Sequence, residues 1–93
     1  MSHQEKGFQE IIKLLANEID KKNLMALLDL LLTPEEKRDL GMRYWIIKAL
    51  LEGKKTQRDM ARELNVSIAK ITRGSNELKR VDPRLLNYLK EKL

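Results

Sequence analysis

Apolar residues recur at intervals of three and four along most of the chain, and no run alternates convincingly with period two, so the pattern predicts helices and no strands. Phe8, Ile11, Ile12, Leu15 and Ile19 mark a first helix over about 5–21. Asn23 can cap a second, short helix ending near Leu32. From Leu24 to Leu32 only Asp29 is polar, and a helix apolar nearly all round must be buried on nearly every side. Thr33-Pro34-Glu35-Glu36 is a helix start: Thr is a favoured N-cap, Pro is tolerated at the first helical position, and Glu at the third completes a capping box. The third helix then runs from Pro34 to about Glu52, with Gly53 placed as its left-handed C-terminal residue. Thr56 and Asp59 open a fourth helix over about 57–64, Asn65 turns the chain, and Ser67 caps a fifth over about 68–80. Asp82-Pro83 starts a last helix over about 83–92, with Leu85, Leu86 and Leu89 on one face.

On a wheel at about 100° per residue, the apolar positions of the third helix span about 260°, leaving Lys48, Gly41 and Glu52 in the remaining sector. An arc that wide needs neighbours on both sides, which points to an obligate dimer with interleaved helices. Trp45 is most simply a core residue. Arg43 is the exception, at the margin of the apolar arc, where an unpaired guanidinium is costly to desolvate. A salt bridge or a snorkelling side chain would account for it. So would a planar ligand stacked on the guanidinium.

Length and composition narrow the picture. Ninety-three residues, 42% hydrophobic and 35% charged, make one globular domain that is short of core and in need of support. With no cysteine, and His3 the single histidine, disulfides, thiolate metal sites and cysteine nucleophiles are excluded, and oligomerisation is the support that remains. No metal site, catalytic residue or cofactor is expected, and no Gly-rich phosphate loop is present, so the reading is not an enzyme. No run approaches 18 apolar residues and no charged segment precedes an apolar one, so a soluble, cytoplasmic protein without a membrane partner is expected. Charge is unevenly placed. Residues 1–41 carry six Lys/Arg against eight Asp/Glu, while residues 42–93 carry thirteen against six. Within 54–80 the balance is eight basic to three acidic. Either this is a solvated basic face, or it meets a polyanion, of which a phosphate backbone is the commonest.

Residues 57–74, Q-R-D-M-A-R-E-L-N-V-S-I-A-K-I-T-R-G, place apolar Met60, Leu64, Val66 and Ile71 and small Ala61 at the spacing of a helix-turn-helix, with a recognition helix beginning near Ser67. Any short helical hairpin gives a similar pattern, but the basic surplus across this one favours DNA. Within the recognition helix, Lys70, Arg73 and Glu77 share a face away from Ile71 and Leu78. Lys70 and Arg73 can face DNA, or Arg73 can line a pocket against the third helix. Gly74 costs about 1 kcal/mol relative to Ala in mid-helix, so something approaches the backbone there closely.

The stretch from Leu30 to Leu78 carries L-L-L-T-P-E-E, L-G-x-R, L-L-E-G, T-Q-R-D and above all I-x-x-I-T-R-G-S-N-x-L-K. It resembles the tryptophan repressor family, and the resemblance runs on through Asp82-Pro83 to the C-terminus, about three quarters of the chain. The resemblance implies an all-α fold, a six-helix intertwined homodimer in which one domain, 1–93, divides into a dimerisation core (1–53 and 81–93) and a helix-turn-helix reading head (54–80). It further implies L-tryptophan as corepressor, with the indole between Arg43 and Arg73. The ligand carboxylate would lie on Arg73 and on Thr33 of the partner chain, and its ammonium on the Leu28 and Leu30 carbonyls of that chain. Gly74 would give the indole room. Carbonyls at a helix C-terminus suit an ammonium, since they lack intrahelical partners and carry negative partial charge. Where the family usually has a small residue this chain has Glu77, which either pairs with Arg73 four residues back or takes the ligand ammonium.

For DNA the resemblance implies Arg58, Ile68, Ala69, Lys70 and Thr72 at or near base edges, Arg58 being suited to a bidentate guanine contact, and Gln57, Arg62 and Lys79 at phosphates. The expected function is therefore a tryptophan-activated repressor of genes for tryptophan biosynthesis or transport. The alternatives are a ligand-independent helix-turn-helix relative and a helical adaptor that binds no DNA. Tryptophan dependence of DNA affinity separates off the first, and the salt slope of DNA binding the second.

Overall fold

A computed structural model describes residues 2–18 and 20–93, so Ile19 of the first apolar stripe lies outside the described residues. The described residues form six helices and no strand: α1 (His3–Asn17), α2 (Lys21–Leu31), α3 (Pro34–Glu52), α4 (Gln57–Leu64), α5 (Ile68–Leu78) and α6 (Pro83–Lys92). The chain divides into two units, Met1–Lys37 and Arg38–Leu93.

In the first unit the helix starts are set by side-chain caps. Ser2 and Glu5 form a reciprocal capping box, the Ser2 hydroxyl accepting from the Glu5 N–H at 3.0 Å, and α1 accordingly begins at His3 rather than at residue 5. It ends at Asn17, short of residue 21, because Glu18 turns extended and its carboxylate accepts the Asp20 N–H at 2.9 Å. Asp20, not Asn23, caps α2, its carboxylate accepting from the Lys22 N–H at 2.9 Å. Asn23 sits inside the first turn, donating to Glu18. Asp29 pairs with Lys37 at 2.7 Å. No described residue of α1 or α2 is buried: Phe8 is 63% exposed and Leu30 81%. The nearly all-apolar α2 thus does not find within its own unit the burial its sequence calls for.

At the boundary of the two units, Thr33 and Glu36 form the expected capping box. The Thr33 N–H donates to Glu36 at 2.8 Å and the Thr33 hydroxyl accepts from the Glu36 N–H at 3.1 Å. The Thr33 N–H, and after it the Thr33 hydroxyl, hold the Glu36 carboxyl below the usual carboxylate range. In the second unit, Gly53 ends α3 with φ 66°, a value for which only glycine carries no Cβ penalty. Asn65 turns the chain between α4 and α5 at φ 56°, ψ 48°, and the Val66 N–H closes the turn on the Ala61 carbonyl at 3.0 Å. Thr56, Ser67 and Asp82 cap α4, α5 and α6. α5 ends at Leu78, two residues before its expected end.

The core of this unit joins Ile46 of α3, Met60 and Ala61 of α4 and Ile71 of α5, with Leu64, Val66, Met42, Ala49 and Leu50 packed around it. Ile71 is fully buried, so its truncation to Ala would cost about 2–5 kcal/mol. The positions picked out by helix-turn-helix spacing are the ones that pack, and α3 supplies the platform. Trp45, expected in the core, is instead half exposed, with the Lys48 ammonium 5.5 Å from its ring centre and Tyr44 edge-on at 5.1 Å.

Candidate ligand pocket and nucleic-acid interface

Between α3 and α5 lies a cavity of about 440 Å³, within the usual range of small-ligand sites, roughly 300–1,000 Å³. α3 contributes Met42, Ile46 and Ile47 as apolar wall, with Asp39 and Arg43 one helical turn apart beside them. α5 contributes Lys70, Arg73, Gly74 and Glu77, spaced so that all four project to one side of that helix. Arg43, which the wheel left at the margin of the apolar arc, and Gly74, out of place in mid-helix, thus line one cavity.

At Gly74 α5 lies close against α3 side chains. A Cβ there would lie 3.0 Å from Ile46 Cγ2 and 3.3 Å from Leu50 Cδ1. The close approach inferred from sequence is therefore made by α3 side chains, and this packing keeps Arg73 and Arg43 on the same cavity.

The cavity carries three cations, Arg43, Lys70 and Arg73, and two carboxylates, Asp39 and Glu77. The ion pairs of the described residues, Lys13–Glu10, Lys37–Asp29, Lys55–Glu63, Arg62–Asp59 and Arg84–Asp82, use none of the five. In particular, Arg73 and Glu77 form no pair despite their spacing. Such a set can take both ends of a small zwitterion against an apolar wall. Asp39 was not among the residues singled out from sequence. Its spacing of four from Arg43, on the same side of α3, was the signal for it.

Leu28, Leu30 and Thr33 belong to the first unit. The Leu28 carbonyl is not an orphan, since it accepts the Leu32 N–H at 2.9 Å. The Leu30 carbonyl faces a different situation, because the residue four positions on is Pro34, which has no N–H to give. The Thr33 hydroxyl accepts the Glu36 N–H as the cap of α3.

On the helix-turn-helix, Arg58, Ile68, Ala69, Lys70 and Lys79 are exposed, as a reading surface requires. Gln57 and Thr72 are tied together, the Thr72 hydroxyl donating to the Gln57 side-chain oxygen at 3.0 Å, a bond that fixes the start of α4 on α5. Arg62 is engaged by Asp59 on its own helix. Among the described residues, no group of three or more His, Asp or Glu is placed to hold a metal, and no helix is long and apolar enough to cross a membrane.

Comparison with known proteins gives a consistent result. Residues 6–93 match the family model described as Trp repressor protein. The Trp operon repressor homolog of Chlamydia trachomatis serovar D is 42% identical over 92 residues, covering 99% of this chain and 98% of that protein. The Trp operon repressor homologs of Vibrio campbellii and Vibrio vulnificus strain YJ016 are each 43% identical, covering 85% and 77% of this chain and 81% and 71% of those proteins. The chain therefore belongs to the Trp repressor family, DNA-binding transcription regulators that are not enzymes.

Proposed function

We propose that the protein is a homodimeric repressor activated by L-tryptophan, acting on operator DNA of genes for tryptophan biosynthesis or transport. The observation that carries this reading is the cavity lined by both Arg43 and Arg73. One of its walls is α5, whose Ile68, Ala69 and Lys70 are exposed for base reading. A ligand seated there bears directly on the recognition helix. Helix-turn-helix dimers read half-sites one DNA turn apart, about 34 Å, this family being one of the established cases. A ligand that prefers the arrangement matching that spacing tightens DNA binding, and by linkage DNA tightens ligand binding.

The indole would lie between the Arg43 and Arg73 guanidinium planes, with the carboxylate on Arg73. Thr33, Leu28 and Leu30 of a second chain would close the site. The second chain is supported by the apolar residues left exposed in one chain: Phe8 and Ile12 of α1, Met25 and Leu30 of α2, and Leu40 and Trp45 of α3. The experiment is a calorimetric titration with L-tryptophan, followed by a mobility shift on duplexes selected from a random pool with the amino acid present. Tenfold or greater tightening by tryptophan supports the reading. Tryptophan-independent binding leaves a ligand-independent relative, and absence of salt-dependent DNA binding would remove the DNA function altogether.

A further inference from the structure

We infer that Lys54, in the loop from α3 to α4, contacts a DNA phosphate, carrying the interface beyond the helix-turn-helix and taking the part expected of Arg62. This rests on the reading of α4 and α5 as the DNA head. Three lysines, Lys48, Lys54 and Lys55, line a second cavity of about 170 Å³ between α3 and α4. Two of them are engaged. The Lys48 ammonium lies 5.5 Å from the Trp45 ring centre, and Lys55 meets the Glu63 carboxylate at 2.5 Å. Lys54 is exposed and, among the described residues, enters no ion pair and no cation–π contact. On α4, Arg62 is held by Asp59. A phosphate approaching Arg62 also meets that carboxylate, so the pair offers it a dipole, as Lys55 with Glu63 does. Lys54 offers a whole charge.

The place of Lys54 in the chain points the same way. Gly53 ends α3 at φ 66° and Thr56 caps α4, so the loop between them is short. Gln57 lies three residues on from Lys54, at most about 11 Å of extended chain. Its side chain is fixed against α5 by the Thr72 hydroxyl at 3.0 Å. In helix-turn-helix docking, for which this family is among the established cases, the first helix crosses the DNA backbone. One strand carries a phosphate about every 3.4 Å along the helix axis, so Lys54 lies within about three phosphates of whatever the start of α4 touches. Such a contact reads no base. It adds affinity on any sequence and helps to fix the register of the head on the duplex.

The test is DNA affinity by fluorescence anisotropy, from about 50 to 200 mM salt with L-tryptophan present, on the selected duplex and on a random one. Four full-length proteins are compared: wild type, Lys54→Gln, the charge-balanced Asp59→Asn/Arg62→Gln variant, and Lys90→Gln. Lys90 is an exposed lysine of α6, outside the reading head, and its loss is an equal change of charge. Circular dichroism checks that each variant keeps its helices. Lys54→Gln lowers the slope of log affinity against log salt by about 0.9 per bound chain on both duplexes, or about three- to fourfold in affinity over that range. The Asp59→Asn/Arg62→Gln and Lys90→Gln variants keep the wild-type slope. A wild-type slope in Lys54→Gln overturns the inference. So does a slope lowered as much by Asp59→Asn/Arg62→Gln, which would return the contact to Arg62, or as much by Lys90→Gln, which would reduce Lys54 to bulk charge. If wild type itself shows no salt-dependent binding, the reading of α4 and α5 as a DNA head fails and the inference falls with it, an outcome distinct from a normal wild-type slope that Lys54→Gln leaves unchanged.

Discussion

Replacing Gly74 with Ala sets two effects of known sign against each other. Removing a mid-helix glycine favours α5 by about 1 kcal/mol. The added methyl would sit 3.0 Å from Ile46 Cγ2 and 3.3 Å from Leu50 Cδ1, closer than carbon atoms pack. Leu50 is only half-buried and can yield. Ile46 is 4% exposed and locked among Met60, Ala61 and Ile71, so α5 must move instead. Overpacking of this kind costs about 1–3 kcal/mol, so the net change is from nothing to a loss of about 2 kcal/mol. Gly41 provides the contrast. It lies mid-helix in α3, in the polar sector with Lys48 and Glu52, and a Cβ there meets nothing within 4 Å. Gly41→Ala should gain up to about 1 kcal/mol, or about 4–8 °C in Tm for a chain of this size. Urea unfolding of both variants at one matched protein concentration reads the difference. Stabilisation by Gly74→Ala equal to that by Gly41→Ala would refute the close approach of α5 to α3.

Three other expectations can be checked with purified protein. If a second chain covers the exposed apolar residues of α1, α2 and α3, the folded species sediments as a dimer at micromolar concentration and its Tm rises with concentration; a folded monomer contradicts this. Arg58→Ala should cost about 1–3 kcal/mol on the selected duplex and little on random DNA, whereas Lys79→Ala weakens both and lowers the salt slope by about 1; identical behaviour removes the division into base reader and phosphate anchor. Glu36 and Asp82 have carboxyls held below the usual range, chiefly by the Thr33 and Arg84 backbone N–H groups. Their contribution is therefore present above the ordinary carboxylate range and lost as the pH falls through the lowered values. The urea midpoint should decline on acidification below about pH 5, less steeply in a Glu36→Gln/Asp82→Asn variant, and equal slopes would refute the assignment.

The helix-turn-helix was legible because its signals are local: Thr56, Ser67 and Asn65 act within a turn of their own position, and Met60, Ala61, Leu64, Val66 and Ile71 pack against one another across a few residues. The starts of α1 and α2 were harder to read. Asp20 and Asn23 are equally good caps by type, and the choice falls to Asp20 because Glu18 takes both its N–H and the Asn23 amide. Arg43 and Gly74 stood out in sequence as violations of helix patterning, and the cavity gives both a place. Asp39 violated nothing, since an aspartate near a helix start is ordinary, and only the fold brings it to the same cavity as Glu77. The Thr72–Gln57 bond spans fifteen residues and needs the turn already formed.

The central claim is that the cavity between α3 and α5 takes tryptophan, and the most direct test is calorimetric titration of L-tryptophan into wild type, Arg43→Ala and Arg73→Ala. Each arginine lines the cavity; a charge-assisted contact is worth about 1.5–3 kcal/mol and a stacked guanidinium about 0.5–2 kcal/mol, so Arg73→Ala should lose about tenfold or more in affinity and Arg43→Ala a few-fold or more. Arg43 lies outside the helix-turn-helix, so DNA binding without ligand should change little in Arg43→Ala. Unchanged tryptophan affinity in both variants, with helicity intact, would contradict the account.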